Sequence, residues 1–244
     1  MGDARLDLIA AAARNNAALC DAMCRSHGIV THVDVDAWVA ATRSPPFYPD
    51  AVTLTGVSAV DEILARVDDR PGCSIKDSFA TLRVDRSGWS VLFEATWIAR
   101  PVGDGDGDGD GGPGGSGPDP SWAAVDDDDE LDAWAAAWRG DDGPDGLFVP
   151  ALLGQDVVVL AARDGDEVVA GSVVNRHAGV VGLSNVFRRD GAAVDPWAGS
   201  LAWIRSRGEA ETVVGYESGT DLTAALDHGF EPIGPLRVWR RGDR

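Results

Sequence analysis

Glu167 to Phe187 reads EVVAGSVVNRHAGVVGLSNVF, and no other stretch limits the possible folds of this chain as strongly. Two β-rich runs, Val168–Val174 and Val180–Phe187, flank a polar stretch, Asn175–Gly179. Valine and phenylalanine fit a pleated, half-buried surface, whereas Asn, His and Gly suit a turn. The pattern predicts a β-hairpin. A helix beginning near Asp195 (PWAGSLAWIRS), a strand over Glu211–Tyr216, a helix over Asp221–His228 and a final strand after Gly229-Phe230 follow it.

Upstream, Leu6–Cys24 is Ala-rich and unbroken by Gly or Pro, and Leu6, Ile9, Ala13, Leu19 and Met23 follow helical spacing. Gly28 closes that helix. Asp34 is read as the cap of a short helix over Val35–Thr42, ended by Ser44-Pro45-Pro46. Ala51–Leu54 predicts a strand, and Ser58 a capped helix running to Val67. Cys73–Val84 and Trp89–Ala99 predict a second hairpin turning at Asp85–Gly88. Residues 45–100 therefore read strand, helix, strand, strand.

Trp122–Val125 predicts a strand, and the acid run Asp126–Glu130 suits a helix start, where the dipole favours negative charge. Leu131, Trp134, Ala135 and Trp138 give that helix its apolar stripe, and Gly140 ends it. Phe148–Leu153 is a short helix or turn, and Gln155–Ala162 a strand. Residues 121–187 thus repeat the earlier order and extend it. Between the halves lies PVGDGDGDGDGGPGGSGPDP, which has nothing to bury and reads as a linker. Its Asp-Gly alternation lacks the closing Glu, flanking helices or interspersed apolar residues of calcium loops. The expectation is an α/β (α+β) chain with mixed, mostly antiparallel sheets: an N-terminal half over 1–100, a linker over 101–120 and a C-terminal half over 121–244.

Charge narrows the partners. Twenty-one basic residues against 40 acidic ones give a net charge of −19, which repels nucleic-acid phosphates and anionic membranes. Lys76 is the sole lysine. The acidity is read as adaptation to a salty cytoplasm or as genome composition. No stretch approaches the roughly 20 apolar residues of a membrane span. Three cysteines are an odd number and argue against a disulfide framework, so a cytoplasmic location is expected. Cys20, Cys24, His27 and His32 match no common zinc spacing, and no metal is expected.

The second half, Trp122 to Trp239, resembles the GNAT (GCN5-related N-acetyltransferase) superfamily, and the first half resembles it by element order alone. Three stretches carry the resemblance. The strands meeting at VVAGSVVNRHAGVVGLSNVF are similar to the third and fourth family strands. Arg188-Arg-Asp-Gly191-Ala-Ala193 resembles the family's phosphate loop. VVGYES, TDLTAALDHGF and EPIGPLRVW look like its late strand, helix, Gly-Phe and last strand. The resemblance implies that splayed strands admit the pantetheine arm of acetyl-CoA, held by Asn185, Val186 and Phe187, with Arg188, Gly191 and Ala193 around the pyrophosphate. A helix N-terminus and a glycine both suit that role. The pattern also departs: Asp190 lies inside the loop, Pro196 delays the helix, and Ala225 stands where the family often has a tyrosine acid.

Acetyl transfer to an amine needs a base and an acid. Tyr216 and Glu217, at the end of the late strand, are the candidates for acid and base. Glu94 and Trp97 are candidates for binding a cationic acceptor, a small-molecule or peptide amine, while Lys76 with Glu94 reads as a cross-strand pair. The rival is a GNAT-like module without catalysis that binds a ligand or protein. Trp197, Trp203 and Trp239 are candidates for a homodimer contact.

Overall fold

The computed structural model describes residues 2–84, 88–102, 121–140, 143–207 and 211–242, so residues 85–87 and 103–120, with most of the predicted second turn and linker, lie outside the described residues. The first segment runs α1 (Gly2–Ser26), β1 (Thr31–Val33), β2 (Ala37–Ala40), β3 (Ala51–Thr53), α2 (Val60–Leu64), β4 (Ser74–Asp77) and β5 (Trp89–Val102). The second runs β6 (Ser121–Ala124), α3 (Asp128–Arg139), a 3-10 turn (Pro150–Leu152), β7 (Val157–Asp164), β8 (Glu167–His177), β9 (Val180–Arg188), α4 (Pro196–Arg205), β10 (Glu211–Glu217), α5 (Gly219–Asp227) and β11 (Glu231–Arg241).

All the strands join one sheet, in the order β1-β2-β3-β4-β11-β5-β10-β9-β8-β7-β6. Among the described residues only β3–β4 and β9–β10 pair in parallel. The sheet is covered on both faces. On one, Ile9, Ala12 and Ala13 of α1 pack on Trp97, Val214 and Leu236, while Leu131 and Trp134 of α3 pack on Val159 and Val173. On the other, Trp197, Leu201 and Ile204 of α4 and Ala225 of α5 cover Ile98, Val181 and Val213. Alanine at the buried positions of α1 lets its backbone lie close to the strands. Asn15 fastens the helix there, its amide nitrogen donating to the carbonyls of Asn175 and Val180.

The leading hairpin forms as predicted, with longer strands and a tighter turn. Ala178 and Gly179 alone make it, with φ of 54° and 75°, the double left-handed geometry that suits strand twist.

Three expectations need correction. Val35–Thr42 contains strand β2 between two bends rather than a helix, because the Asp34 carboxylate accepts from the amides of Asp36 and Ala37 and forms a turn. Ser58 caps nothing: its hydroxyl donates to the Asp36 carbonyl, and α2 is only five residues long. Cys73–Val84 and Trp89–Ala99 are not a hairpin, since β11 lies between β4 and β5 and pairs with both. Strand β4 stops at Asp77, whose buried carboxylate accepts from the amides of Thr81 and Leu82 and folds the chain into a loop.

Candidate active site

The parallel neighbours β9 and β10 pair only at Val181↔Val213 and Gly182↔Val214, and no pairing is made beyond. Leu183 still lies beside Gly215, whose Cβ position is 2.9 Å from the Leu183 carbonyl oxygen, and past that point β9 has no pairing on that side. The separation begins where β9 bulges. Asn185 has φ 51°, and the register against β8 slips between Gly171 and Val173. A bulge bends its strand and leaves an extra residue off the ladder, a geometry found often beside functional sites.

Between the diverging strands and α1 lies a cavity of about 200 Å³. Asn185, Trp97, Tyr216 and Glu217 of the predicted set face it. Tyr216 and Trp97 are opposite one another on β10 and β5, with ring centroids 5.5 Å apart in an edge-on arrangement. The Trp97 indole donates to the Ser78 carbonyl at 2.8 Å, which fixes that wall. Burial is the main cause that lifts the Glu217 carboxyl to about 7, helped by the nearby Asp221 carboxylate. A carboxyl so placed exchanges protons at neutral pH, as a catalytic base must.

Lys76 enters the same cavity and pairs differently from the sequence expectation. Its Nζ donates to Asn16 Oδ1 at 2.8 Å and sits 3.9 Å above the centre of the Tyr216 ring. Glu94 is instead held by Arg237 at 2.6 Å, on the opposite side of the sheet from Phe93 and Lys76, because β11 separates β4 from β5. Glu94 is thus not brought to the cavity. Tyr48 is, although sequence reasoning missed it: Asn185 Nδ2 donates to its hydroxyl, and burial raises that hydroxyl's pKa. Its signal was its rarity, since the chain holds only two tyrosines and both are here. Cys20 also lines the cavity, and burial pushes its thiol up to about 12, so it stays protonated at neutral pH.

The proposed phosphate loop lies at the far end of β9. Phe187 packs edge-on against Trp134 at 5.2 Å, and Val186 packs into the α4 side of the sheet. Arg188 bends back to donate to the Val194 carbonyl at 3.5 Å, and Gly191 takes φ 80°. Ala193 is exposed beside it. The amides that open α4 already have a partner: Asp195 Oδ1 accepts from Trp197 and Ala198. Its other oxygen is 2.8 Å from His228 Nε2. Beyond Gly182 the edge of β9 facing β10 is unpaired backbone, chemistry that suits the amides of a pantetheine arm, and the Asp195 carboxylate already occupies the amides at the start of α4.

Trp197 and Trp203 are core residues packed under α4, which corrects their assignment to a surface contact. Another cavity, about 600 Å³, flanks α1 near Asp21 and Asp156, and none of the predicted site residues faces it. No helix among the described residues is long and apolar enough to cross a membrane.

Solved structures resemble this architecture. One is a GCN5-related N-acetyltransferase from Kribbella flavida, 18% identical, covering 96% of each chain with a TM-score of 0.59. Another is a functionally unknown conserved protein from Staphylococcus epidermidis, 9% identical, covering 87% of this chain and 93% of that one with a TM-score of 0.52. No family model and no curated protein sequence matches the chain. The chain has the GCN5-related N-acetyltransferase fold.

Proposed function

We propose that the protein is an acetyl-CoA-dependent N-acetyltransferase acting on an amine of a small molecule or peptide. The observation that carries this is the opening between β9 and β10, with an ionisable Glu217 and Tyr216 on its wall. The amine nitrogen attacks the thioester carbonyl, the carbon–sulfur bond breaks, and the CoA thiolate leaves. Glu217 takes the proton that the amine loses. Tyr216 gives the thiolate its proton, with Lys76 above the ring stabilising the phenolate left behind. The backbone of Asn185, Val186 and Phe187 pairs with the pantetheine amides, and Arg188, Gly191 and Ala193 bound the phosphates. Three buried free thiols suit a reducing compartment, and we assign the protein to the cytoplasm.

Calorimetry with acetyl-CoA in high salt tests the reading. Micromolar binding is expected, and a Gly191→Asp variant should bind roughly tenfold more weakly, through added negative charge and backbone strain. Silence at high micromolar ligand removes the enzyme reading. It would favour the second reading, a binding module without catalysis, which draws on the Asp195 carboxylate already seated at the start of α4.

A further inference from the structure

A groove of about 550 Å³ runs along the α1 face of the sheet and meets the catalytic cavity at Tyr48, Lys76 and Tyr216. Its floor is the stretch of sheet that α1 leaves uncovered. Phe93, Val238 and Lys76 stand opposite one another there on β5, β11 and β4, and one step along come Ser90, Arg240 and Ser74. Leu92 and Phe93 are 51% and 39% exposed, and Phe47, on the overhanging loop, is 74% exposed, so the groove offers large apolar surface to whatever enters.

The overhanging loop is anchored. Asp50 is buried and accepts from the amides of Ser44 and Ser74 and from the Arg43 guanidinium at 2.7 Å. That anchoring also consumes the groove's negative charge. Among the described residues that line it, Arg43, Lys76 and Arg240 are cationic and Asp50 is the only carboxylate. The local balance is therefore positive in a chain whose net charge is −19. A pocket of that sign repels a polyamine and attracts an anion. Its apolar wall demands a hydrophobic body on the same molecule.

We propose that the groove holds the acyl acceptor, and that this acceptor is an α-amino acid with a large apolar side chain. The carboxylate faces Arg240, the side chain lies on Leu92 and Phe93, and the α-amine reaches the opening beside Tyr216. This rests on the transferase reading for its chemistry and stands on its own as a binding site. It also replaces the purely cationic acceptor expected from the sequence with a zwitterion, since Glu94 is turned away and Lys76 is turned in.

Titration with N-acetyl-L-phenylalanine, the product such a reaction would leave, tests the site without catalysis. Binding is expected, with N-acetyl-L-phenylalaninamide and spermidine each at least about tenfold weaker, the size of one charge-assisted contact. Arg240→Ala, an exposed change, should weaken the carboxylate ligand by a similar factor and leave the amide unaffected, with an unchanged melting curve as the control for folding. Equal binding of acid and amide, stronger binding of spermidine, or an indifferent Arg240→Ala overturns the proposal. A competition arm separates the other source of anionic groups. Coenzyme A and N-acetyl-L-phenylalanine, the two products, should bind together; displacement of one by the other, with coenzyme A weakened by Arg240→Ala, would make the groove a cofactor-phosphate site and overturn the proposal. If acetyl-CoA does not bind at all while the acid does, the transferase reading fails and the groove assignment stands.

Discussion

Glu217 is a carboxyl with two consequences at the scale of one residue. Burial lifts its titration from the ordinary 4.5 to about 7 in the folded chain. The folded state thus holds a proton that the unfolded state has lost between those values. Stability from this group is full below about pH 4.5 and is lost as pH rises through about 7. A Glu217→Gln variant should melt like the parent near pH 4 and be more stable near pH 8 by at most about 3 kcal/mol, less as solvent screens the partly exposed carboxyl. Denaturant titrations at the two pH values check this, and an unchanged difference would show that the carboxyl is better solvated than its position suggests. In activity, the parent's rate with acetyl-CoA and an amine should climb through pH 7, and the variant should lose that limb. The place of Tyr216 and Glu217 at the end of a strand was legible in the sequence, because the β-rich run Glu211–Tyr216 stops there before the polar Ser218-Gly219. Tyr48 was not, because a loop between prolines carries no periodic signal and its approach to Asn185 spans 137 positions.

At the scale of elements, close packing around glycines joins helices to sheet. A Cβ at Gly199 of α4 would lie 2.1 Å from the Trp122 indole of β6, so Gly199→Ala should cost about 1–3 kcal/mol in chemical denaturation. Asp195→Ala should cost about 1 kcal/mol through the lost cap, and it frees the amides of Trp197 and Ala198. With the phosphates at Arg188 and Gly191, this variant should bind acetyl-CoA no more tightly than the parent; tighter binding would move the phosphates to the helix start. Calorimetry on the two proteins reads the difference. The elements themselves were mostly legible: alternation and β-branching marked β7, β8 and β9, and Asp127 caps α3 one residue into the predicted acid run, its carboxylate accepting from the Glu130 amide. Errors fell where a short polar side chain does the same local job in a turn as at a helix start. Asp34 and Ser58 look like caps, and only the surrounding strands decide against them.

For the whole molecule, the excess of carboxylates should set the salt response. Screening their mutual repulsion stabilises the compact state, so the melting temperature should rise steadily from low salt to molar potassium chloride. A flat profile would point to genome composition as the origin of the acidity. Strand partners were the least legible property at this scale, because pairing between distant segments leaves no local mark. Glu94 and Arg237, ion-paired across β5 and β11, are 143 positions apart. We propose that the segments before and after residues 101–120 are two related units contributing to one sheet. Residues 1–102 and 121–244 made as separate chains should co-purify when expressed together, and the first alone should aggregate through the uncovered edges of β4 and β5.

Because β11 follows β4 and β5 by more than a hundred positions and slots between them, the N-terminal portion cannot close its hydrogen-bond ladder until β11 has left the ribosome. Two edges wait open through most of synthesis, a period when nascent chains are vulnerable to misassembly. A lesion confined to β11 would be felt at β4 and β5, far back along the polypeptide.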